Sequence, residues 1–431
     1  MTPASPSALA SALSASESGT LAQRFAHVRA ASEALAAPLA PEDMVIQSMP
    51  DASPTKWHLA HTTWFFESFV LGHFNKAYKP HHPRFGFLFN SYYNTVGEMH
   101  RRPLRGLLSR PTVDGVAAYR ADINDRVQTL IAERGNEPEV AFRITLGLHH
   151  EQQHQELIVT DIKHALAQNP LQPAYVEKRE RPTPAIASHR FINQPDGVLK
   201  IGFDGDNFAF DNETPRHDVL MRPHALANRP ITNGEYREFV KDNGYTRADL
   251  WLSDGWSTVN TERWTRPLYW HDSLDSAFTL CGEQPLDDDA PVCHISFYEA
   301  DAFARWSGAR LATEAELERA LSSATPTDDF VESGHFHPGR SQGPSGEQQP
   351  LQHLYGGVWE WTQSSYAPYP GFAPLDGSLG EYNGKFMCNQ LVLRGGSCAT
   401  PASHIRPTYR NFFYPQSRWQ FSGIRLAKDI S

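Results

Sequence analysis

A proline-rich, charged stretch, QNPLQPAYVEKRERPTPAI at residues 168–186, separates two parts of the chain that have different sequence patterns. Before it, apolar residues recur at helical spacing. After it, glycine, proline, asparagine and aspartate interrupt short apolar runs. Proline-rich charged segments are typical linkers, and 431 residues exceed what one ordinary core holds. The pattern therefore predicts a lead-in, a helical domain, a linker and a second domain, at residues 1–20, 21–168, 169–195 and 196–431.

Four segments of the first part have the apolar spacing of helices. They cover residues 21–39, 56–74, 112–134 and 137–167. Thr112 is well placed to cap the third segment, because threonine favours the residue before a helix. Four long helices joined by short connections predict an antiparallel bundle whose site lies in its core, between facing helices.

The second part predicts an α+β domain with much irregular structure. One helix stands out clearly, at residues 296–309, and the remainder reads as short strands and long loops rich in Trp and Tyr. There is no internal repeat in the sequence.

Composition excludes several classes of function. The net charge of -10 argues against a nucleic-acid or anionic-membrane partner. No apolar run reaches the roughly 20 residues of a transmembrane helix. The Ala- and Ser-rich start lacks the basic residues and apolar core of a signal peptide, and the four cysteines form no C-x-x-C pair. We therefore expect a reduced, cytoplasmic protein without a membrane partner.

The stretch LHHEQQHQE, residues 148–156, is the strongest candidate for a site. On a helix, His150 and His154 lie about 40° apart on one face, a spacing at which two imidazoles can bind one metal ion. Gln153 lies about 60° from His150 and points toward the same pocket. Glu156 lies away from this face, which favours a buried hydrogen-bond or salt-bridge role. The alternative is a polar helix face that only contacts solvent.

A third ligand is available on the second predicted helix. WHLAHTTWFFE contains His58 and His61 among four large aromatic residues, which indicates burial. A buried neutral imidazole needs a partner, and a metal ion is one such partner. The two histidines share roughly one face, so spacing does not choose between them. The alternative for either is a core histidine bonded to a carbonyl group.

The chain resembles a known family in both of its parts. AHTTWFFE together with HHEQQHQE resembles the DinB-like helical bundle. Five motifs of the second part resemble the formylglycine-generating-enzyme domain, also called the sulfatase-modifying factor domain. They are TNGEYREFV, PVCHISFYEADAFARWSGARLATEAELERA, GGVWEWTQS, VLRGGSCAT and FSGIRLA. The combination is similar to the ergothioneine-biosynthesis sulfoxide synthases, which are hercynine oxygenases. The resemblance implies an all-α DinB-like four-helix bundle followed by an α+β, C-type-lectin-like domain.

The resemblance also implies a cofactor, substrates and site residues. The cofactor is Fe(2+), and the substrates are hercynine, dioxygen and a thiol or selenol donor. The iron ligands fall on His61, His150 and His154. The remaining implied positions are the hercynine contact Gln153, the pocket wall Asn411, Phe412 and Phe413, the catalytic pair Tyr92 and Tyr93, and the donor-binding pair Arg102 and Arg105.

Departures from the family pattern concern the donor. The branch that uses γ-glutamylcysteine has an Asn-Trp-Asp run where this chain has Asn411, Phe412 and Phe413. The lost acidic contact favours free cysteine over γ-glutamylcysteine. Selenoneine synthases, which join hercynine to a selenosugar, are similar enough that the choice between sulfur and selenium stays open.

Two further alternatives come from other classes of protein. One is a zinc- or nickel-dependent DinB-like thiol transferase, and the other is a binding module without catalysis or metal. Formylglycine-generating activity is not expected, because that chemistry needs a second cysteine five residues after Cys398, where this chain has Ser403.

Overall fold

A computed structural model of the chain describes residues 9–10, 13, 19–326, 329–341 and 351–430. The chain forms two compact units. The first comprises Met1–Glu177 and Leu375–Tyr382, and the second comprises Lys178–Pro374 and Asn383–Ser431. The predicted lead-in, residues 1–20, lies largely outside the described residues.

The first unit is helical, as the sequence predicts. Its helices are α1 (Leu21–Ala36), α2 (Thr55–Phe66), α3 (Phe85–Phe89), α4 (Val113–Arg134) and α5 (Pro138–Ala167). The hydroxyl of Thr112 accepts a hydrogen bond from the Gly115 N–H at 3.1 Å, so the predicted cap of α4 is confirmed. A π-helical turn, Glu67–Leu71, extends α2.

Helix α2 lies in the middle of this unit, because all twelve of its residues are buried. A helix that is buried on every side needs partners for its polar groups as well as its apolar ones. Its faces contact α4 and α5, and α5 in turn packs on α1. His61, His150 and His154 are thereby enclosed in the helical core.

Gly147 permits the close approach of α5 to α2. A Cβ atom at this position would lie 2.6 Å from the Phe66 ring and 3.1 Å from the Phe65 ring. We expect Gly147→Ala to lower the free energy of unfolding by about 1–3 kcal/mol, because overpacking outweighs the better helix propensity of alanine. Urea unfolding would measure the change. In a Phe66→Leu background the same substitution should cost less, and an equal cost in both backgrounds would contradict this explanation.

The second unit contains two four-stranded sheets and two hairpins. The strands are β1 (Phe191–Asn193), β2 (Gly197–Ile201), β3 (His217–Met221), β4 (His224–Ala227), β5 (Ser276–Thr279), β6 (Gly282–Pro285), β7 (Arg310–Leu311), β8 (Trp359–Ser365), β9 (Leu391–Arg394), β10 (Asn411–Phe413), β11 (Ser422–Gly423) and β12 (Leu426–Asp429). The sheet orders are β1-β4-β12-β7 and β10-β9-β8-β11, and the hairpins are β2-β3 and β5-β6. All of these pairs are antiparallel except β8 with β11.

The helices of this unit are more numerous than the sequence suggests. They are α6 (Asn233–Lys241), α7 (Ser253–Glu262), α8 (Phe297–Trp306) and α9 (Glu314–Leu321). The sequence predicts only α8 clearly, and the others are short helices of eight to ten residues. Thr232 and Thr313 cap α6 and α9 through capping boxes. The predicted fold class, a helical domain followed by an α+β domain, is confirmed.

Strand β8 anchors the core of the second unit. Trp359 and Trp361 are almost fully buried, and both carboxylate oxygens of Glu360 share the Arg425 Nε–H, at 2.9 Å each. The tryptophans of the GGVWEW run therefore belong to the core of this unit. Among the helices that the structure describes, none is long and apolar enough to cross a lipid bilayer.

Candidate metal centre

Helices α2 and α5 bring three histidines together in the core of the first unit. His61 comes from α2, and His150 and His154 come from α5. One ligand atom of each lies within 4.8 Å of the others, and all three side chains are buried. The three residues that the family resemblance implies as ligands thus form one compact group of nitrogen donors.

The spacing inside this group suits a single ion. His61 Nε2 lies 3.2 Å from His150 Nε2. Two nitrogens bound at right angles to one ion, with bonds of about 2.1 Å, are separated by roughly 3 Å. His61 Nδ1 donates a hydrogen bond to the Phe89 carbonyl at 2.5 Å. The proton is therefore on Nδ1, and the lone pair of Nε2 is available to a metal ion.

Burial also keeps the three imidazoles neutral. It lowers the pKa of His61 and the pKa of His154 well below the ordinary value, and it lowers the pKa of His150 to about 3. A neutral imidazole has the lone pair that a metal needs, whereas an imidazolium has none. An all-imidazole set suits iron, zinc, copper or nickel, so the residues fit a transition metal without selecting one.

His58, which spacing alone could not separate from His61, is placed differently. Its Nδ1 lies 2.8 Å from His154 Nδ1, and its Nε2 lies 3.0 Å from Asp161 Oδ2. Both ring nitrogens are therefore used by protein partners. His58 therefore contacts His154 but lies outside the group of three.

Glu151, and not Glu156, is the buried acid of this helix. The prediction for Glu156 is wrong in this respect, because that side chain is only half-buried. Glu151 is fully buried between two arginines, with Oε2 2.6 Å from Arg29 Nη1 and Oε1 3.0 Å from Arg120 Nη2. The helical wheel identified the metal-facing side but could not show that the opposite side packs against α1 and α4.

The predicted catalytic tyrosines lie in the loop after α3. The rings of Tyr92 and Tyr93 are 4.6 Å apart between centroids. Tyr93 is fully buried against Phe69, and Tyr92 is half-buried. Burial raises the pKa of both phenols, so both hold their proton at neutral pH.

Tyr382 is a candidate site residue that sequence reasoning missed. Its hydroxyl donates a hydrogen bond to Gln153 Oε1, and its ring lies 5.6 Å from the His150 ring and 6.2 Å from the Tyr92 ring. Gln153 therefore faces the same space as the histidines, as the helical wheel predicts. Tyr382 is 229 residues from Gln153 in a loop without periodic spacing, so no sequence signal indicated it.

Glu381 holds the segment that carries Tyr382. Its carboxylate accepts hydrogen bonds at 3.0 Å from the N–H groups of Asn94 and Thr95, directly after the tandem tyrosines. These bonds explain why Leu375–Tyr382 belongs to the first unit although the sequence assigns it to the second domain. The fold thus places Tyr382 beside His150, and Tyr92 beside Tyr382.

The two predicted donor-binding arginines differ in their surroundings. Arg105 is buried, donates to Ser53 Oγ and Ser91 Oγ at 2.9 Å each, and lies 3.4 Å from the centre of the Trp57 ring. Burial lowers the pKa of Arg105 to about 8. Arg102 is exposed and donates to the Asp51 carbonyl. Of this pair, Arg105 is the one enclosed beside the ligand-bearing helix.

The predicted pocket wall belongs to the second unit. Asn411, Phe412 and Phe413 form β10, an edge strand, and each is half-buried. The ring of Phe412 stacks on Tyr366 at 4.0 Å, and Phe413 meets the edge of Trp419 at 5.7 Å. Their contact with substrate stays a prediction.

Cys398 is fully buried and reduced. A thiol without access to solvent agrees with a packing role, since reactive cysteines are partly exposed. The expectation that this chain lacks formylglycine-generating chemistry therefore stays in place as a prediction.

Two protein families match the chain. Residues 181–430 match the family described as "Sulfatase-modifying factor enzyme 1-like domain", and residues 24–158 match the DinB superfamily. The first match alone covers more than half of the chain. The order of the two domains is the one that the sequence motifs indicate.

Individual relatives agree with this assignment. A hercynine oxygenase of Mycolicibacterium smegmatis is 32% identical over 73% of this chain and 77% of its own length. A hercynine oxygenase of Mycolicibacterium thermoresistibile is 29% identical over 88% of both chains. A formylglycine-generating enzyme of Streptomyces coelicolor is 28% identical over 55% of this chain and 88% of its own length. The chain therefore belongs to the family of hercynine oxygenases, the ergothioneine-biosynthesis sulfoxide synthases.

Proposed function

We propose that this protein is a non-haem iron(II) oxygenase that joins a thiol donor to C2 of the hercynine imidazole and releases a sulfoxide. The observation that carries the proposal is the buried group of His61, His150 and His154, whose ligand atoms lie within 4.8 Å of one another. Hercynine as the substrate is inferred from the names of the relatives at about 30% identity. The metal and the donor are our own assignments.

The overall reaction balances without a further reductant. The donor loses its S–H proton, hercynine loses its C2–H proton, and a C–S bond forms. One atom of dioxygen becomes the sulfoxide oxygen, and the other leaves as water with the two hydrogens. Dioxygen is the oxidant for both the bond formation and the sulfur oxidation.

The three imidazoles would occupy three coordination positions on one side of the iron and leave its other coordination positions open. Because all three are neutral, the ion would keep its full positive charge, which favours a bound thiol as its anion. Bound iron would supply redox chemistry with dioxygen at the place where both organic substrates meet. The enclosing helices would exclude water from this place and hold the reactants in position.

Gln153 and Tyr382 would contact hercynine next to the metal. The Tyr382 hydroxyl already donates to Gln153 Oε1, so the amide is oriented before substrate arrives. The fixed positive charge of the trimethylammonium group favours aromatic faces. Phe412 and Phe413 remain our candidates for those faces.

Tyr92 or Tyr93 would donate a proton as dioxygen is reduced. Burial raises the pKa of both phenols, which keeps the proton available until a stronger base appears. Tyr92 lies 6.2 Å from Tyr382 between ring centroids. Arg105, whose described hydrogen bonds go to two serine hydroxyls, would bind the carboxylate of the donor.

The decisive experiment is reconstitution with Fe(II) under anaerobic conditions, followed by hercynine, dioxygen and one donor in each of three reactions. Cysteine should give a product with the mass of the hercynyl-cysteine sulfoxide, and γ-glutamylcysteine should react more slowly. A product with a selenium isotope pattern from a selenosugar would identify a selenoneine synthase instead. Zn(II)-loaded protein is the control and should not consume oxygen. Turnover with Zn(II) or Ni(II), without oxygen uptake, would favour the thiol transferase and contradict the proposal.

A further inference from the structure

His58 and Asp161 form a hydrogen-bonded chain that ends on one of the three cluster histidines. Asp161 Oδ2 lies 3.0 Å from His58 Nε2, and His58 Nδ1 lies 2.8 Å from His154 Nδ1. The same carboxylate oxygen accepts the Ser53 N–H at 2.8 Å. All three side chains are buried, with exposures of 2%, 5% and 9% for His58, Asp161 and His154.

The positions of the protons along these bonds are set by donor and acceptor chemistry. A carboxylate only accepts, so His58 Nε2 carries a proton, and in a neutral His58 ring Nδ1 then has a lone pair. His154 Nδ1 must then donate to His58 Nδ1. A neutral His154 with its proton on Nδ1 has its lone pair on Nε2, and Nε2 is therefore the atom available to a metal.

The other two cluster histidines are held differently. His61 Nδ1 donates to the Phe89 carbonyl, so a backbone group fixes its tautomer. His150 Nδ1 has no hydrogen-bond partner among the described residues, and its ring packs on Phe65 at 4.6 Å between centroids. Of the three, His154 is the one that depends on a pair of side chains for its proton and ring orientation.

We propose that His58 is a positioning residue, which with Asp161 fixes the Nδ1–H tautomer of His154 and aims its Nε2 at the metal. The inference rests on the proposed metal centre. Groups behind a metal ligand commonly change metal affinity by about 10–100-fold when removed. The hydrogen bonds span α2 and α5, so they also fix the distance between the helices that supply the ligands.

Three substitutions at position 58 separate hydrogen bonding from packing. His58→Gln keeps both bonds, since its amide can donate to Asp161 and accept from His154 with about the atom separation of an imidazole. His58→Asn is too short to reach both partners, and His58→Phe keeps the ring but removes both bonds. We expect Asn and Phe to weaken Co(II) binding by about 10–100-fold and Gln to weaken it only a few-fold.

The measurement is Co(II) affinity of the full-length apoprotein, by competition with a chelator, at a temperature where circular dichroism shows each variant folded. The proton NMR spectrum of the Co(II) form gives a second readout. The wild-type spectrum in H2O should contain hyperfine-shifted, exchangeable N–H signals from His61 and His154. In His58→Asn, the N–H signal of His154 should be lost or broadened. A merely structural role would lower the melting temperature without changing the affinity or this spectrum.

Each result decides the question. Equal Co(II) affinity in wild type, His58→Asn and His58→Phe would overturn the inference, as would a folded His58→Gln that binds as weakly as His58→Asn. Should His58→Phe fail to fold, the comparison of Gln with Asn is sufficient. Failure of the wild-type protein to bind Co(II) would instead count against the metal centre, so the two proposals fail in different experiments.

Discussion

His150→Ala is expected to lose metal binding at the proposed centre and, with it, the proposed turnover of hercynine. Removal of a supporting group costs about 10–100-fold in metal affinity, so removal of a ligand should cost more than about 100-fold. His61 and His154 cannot compensate, because both already belong to the proposed ligand set, and both ring nitrogens of His58 are hydrogen-bonded to protein groups. Metal content after dialysis and the rate of product formation would measure the loss.

A neighbouring histidine supplies the matched control for this variant. His149 lies on the same helix and is also buried, but it points about 100° away from the cluster. His149→Ala should therefore retain metal even if the protein becomes less stable. Retention of iron by a folded His150→Ala, or equal metal loss in both variants, would argue against the assigned ligand set.

Glu151→Gln is expected to lower the free energy of unfolding by about 3–5 kcal/mol, which is the range for breaking a buried ion pair. The carboxylate is fully buried and lies 2.6 Å from Arg29 Nη1, 3.0 Å from Arg120 Nη2 and 2.6 Å from Ser32 Oγ. Burial by itself would raise the pKa of Glu151, but the two guanidinium groups hold it below the ordinary value. The isosteric amide keeps the volume and leaves two buried cations with no full negative charge between them.

Urea unfolding of the apoprotein would measure this cost without any contribution from metal. Glu139→Gln is the matched control, because Glu139 is on the same helix and forms only exposed ion pairs with His73 and Arg143. Such pairs contribute about 0–1 kcal/mol. In an Arg120→Met background, Glu151→Gln should cost less, since one cation fewer remains unpaired. If Glu151→Gln lowered the free energy of unfolding by less than about 1 kcal/mol in the wild-type background, the buried ion pairs of Glu151 would not stabilise the fold as proposed.

The Glu151 cluster also connects stability to the site. Arg29 belongs to α1, Arg120 to α4 and Glu151 to α5, next to His150. Arg29 Nη2 donates to Thr63 Oγ1 of α2 at 2.8 Å. One buried cluster thus joins the four long helices directly behind the ligand face, so loss of its charge should loosen the helices that carry the ligands.

The sequence by itself determined the features that depend on local periodicity and on residue type. It indicated the bounds of α5 to within one residue, the Thr112 cap, the shared face of His150 and His154, and the two-domain composition. These features depend on neighbours three or four residues away, which a linear pattern contains. The family motifs add the fold class, because they extend over nearly the whole chain.

Only the tertiary structure decided which groups meet across the chain. It separated His61 from His58, exchanged Glu156 for Glu151 as the buried acid, and brought Tyr382 beside Gln153. These outcomes depend on which side of each helix packs against another helix and on a loop more than two hundred residues away. No periodicity within a single segment encodes such contacts, because they arise only when the helices and the distant loop are packed together.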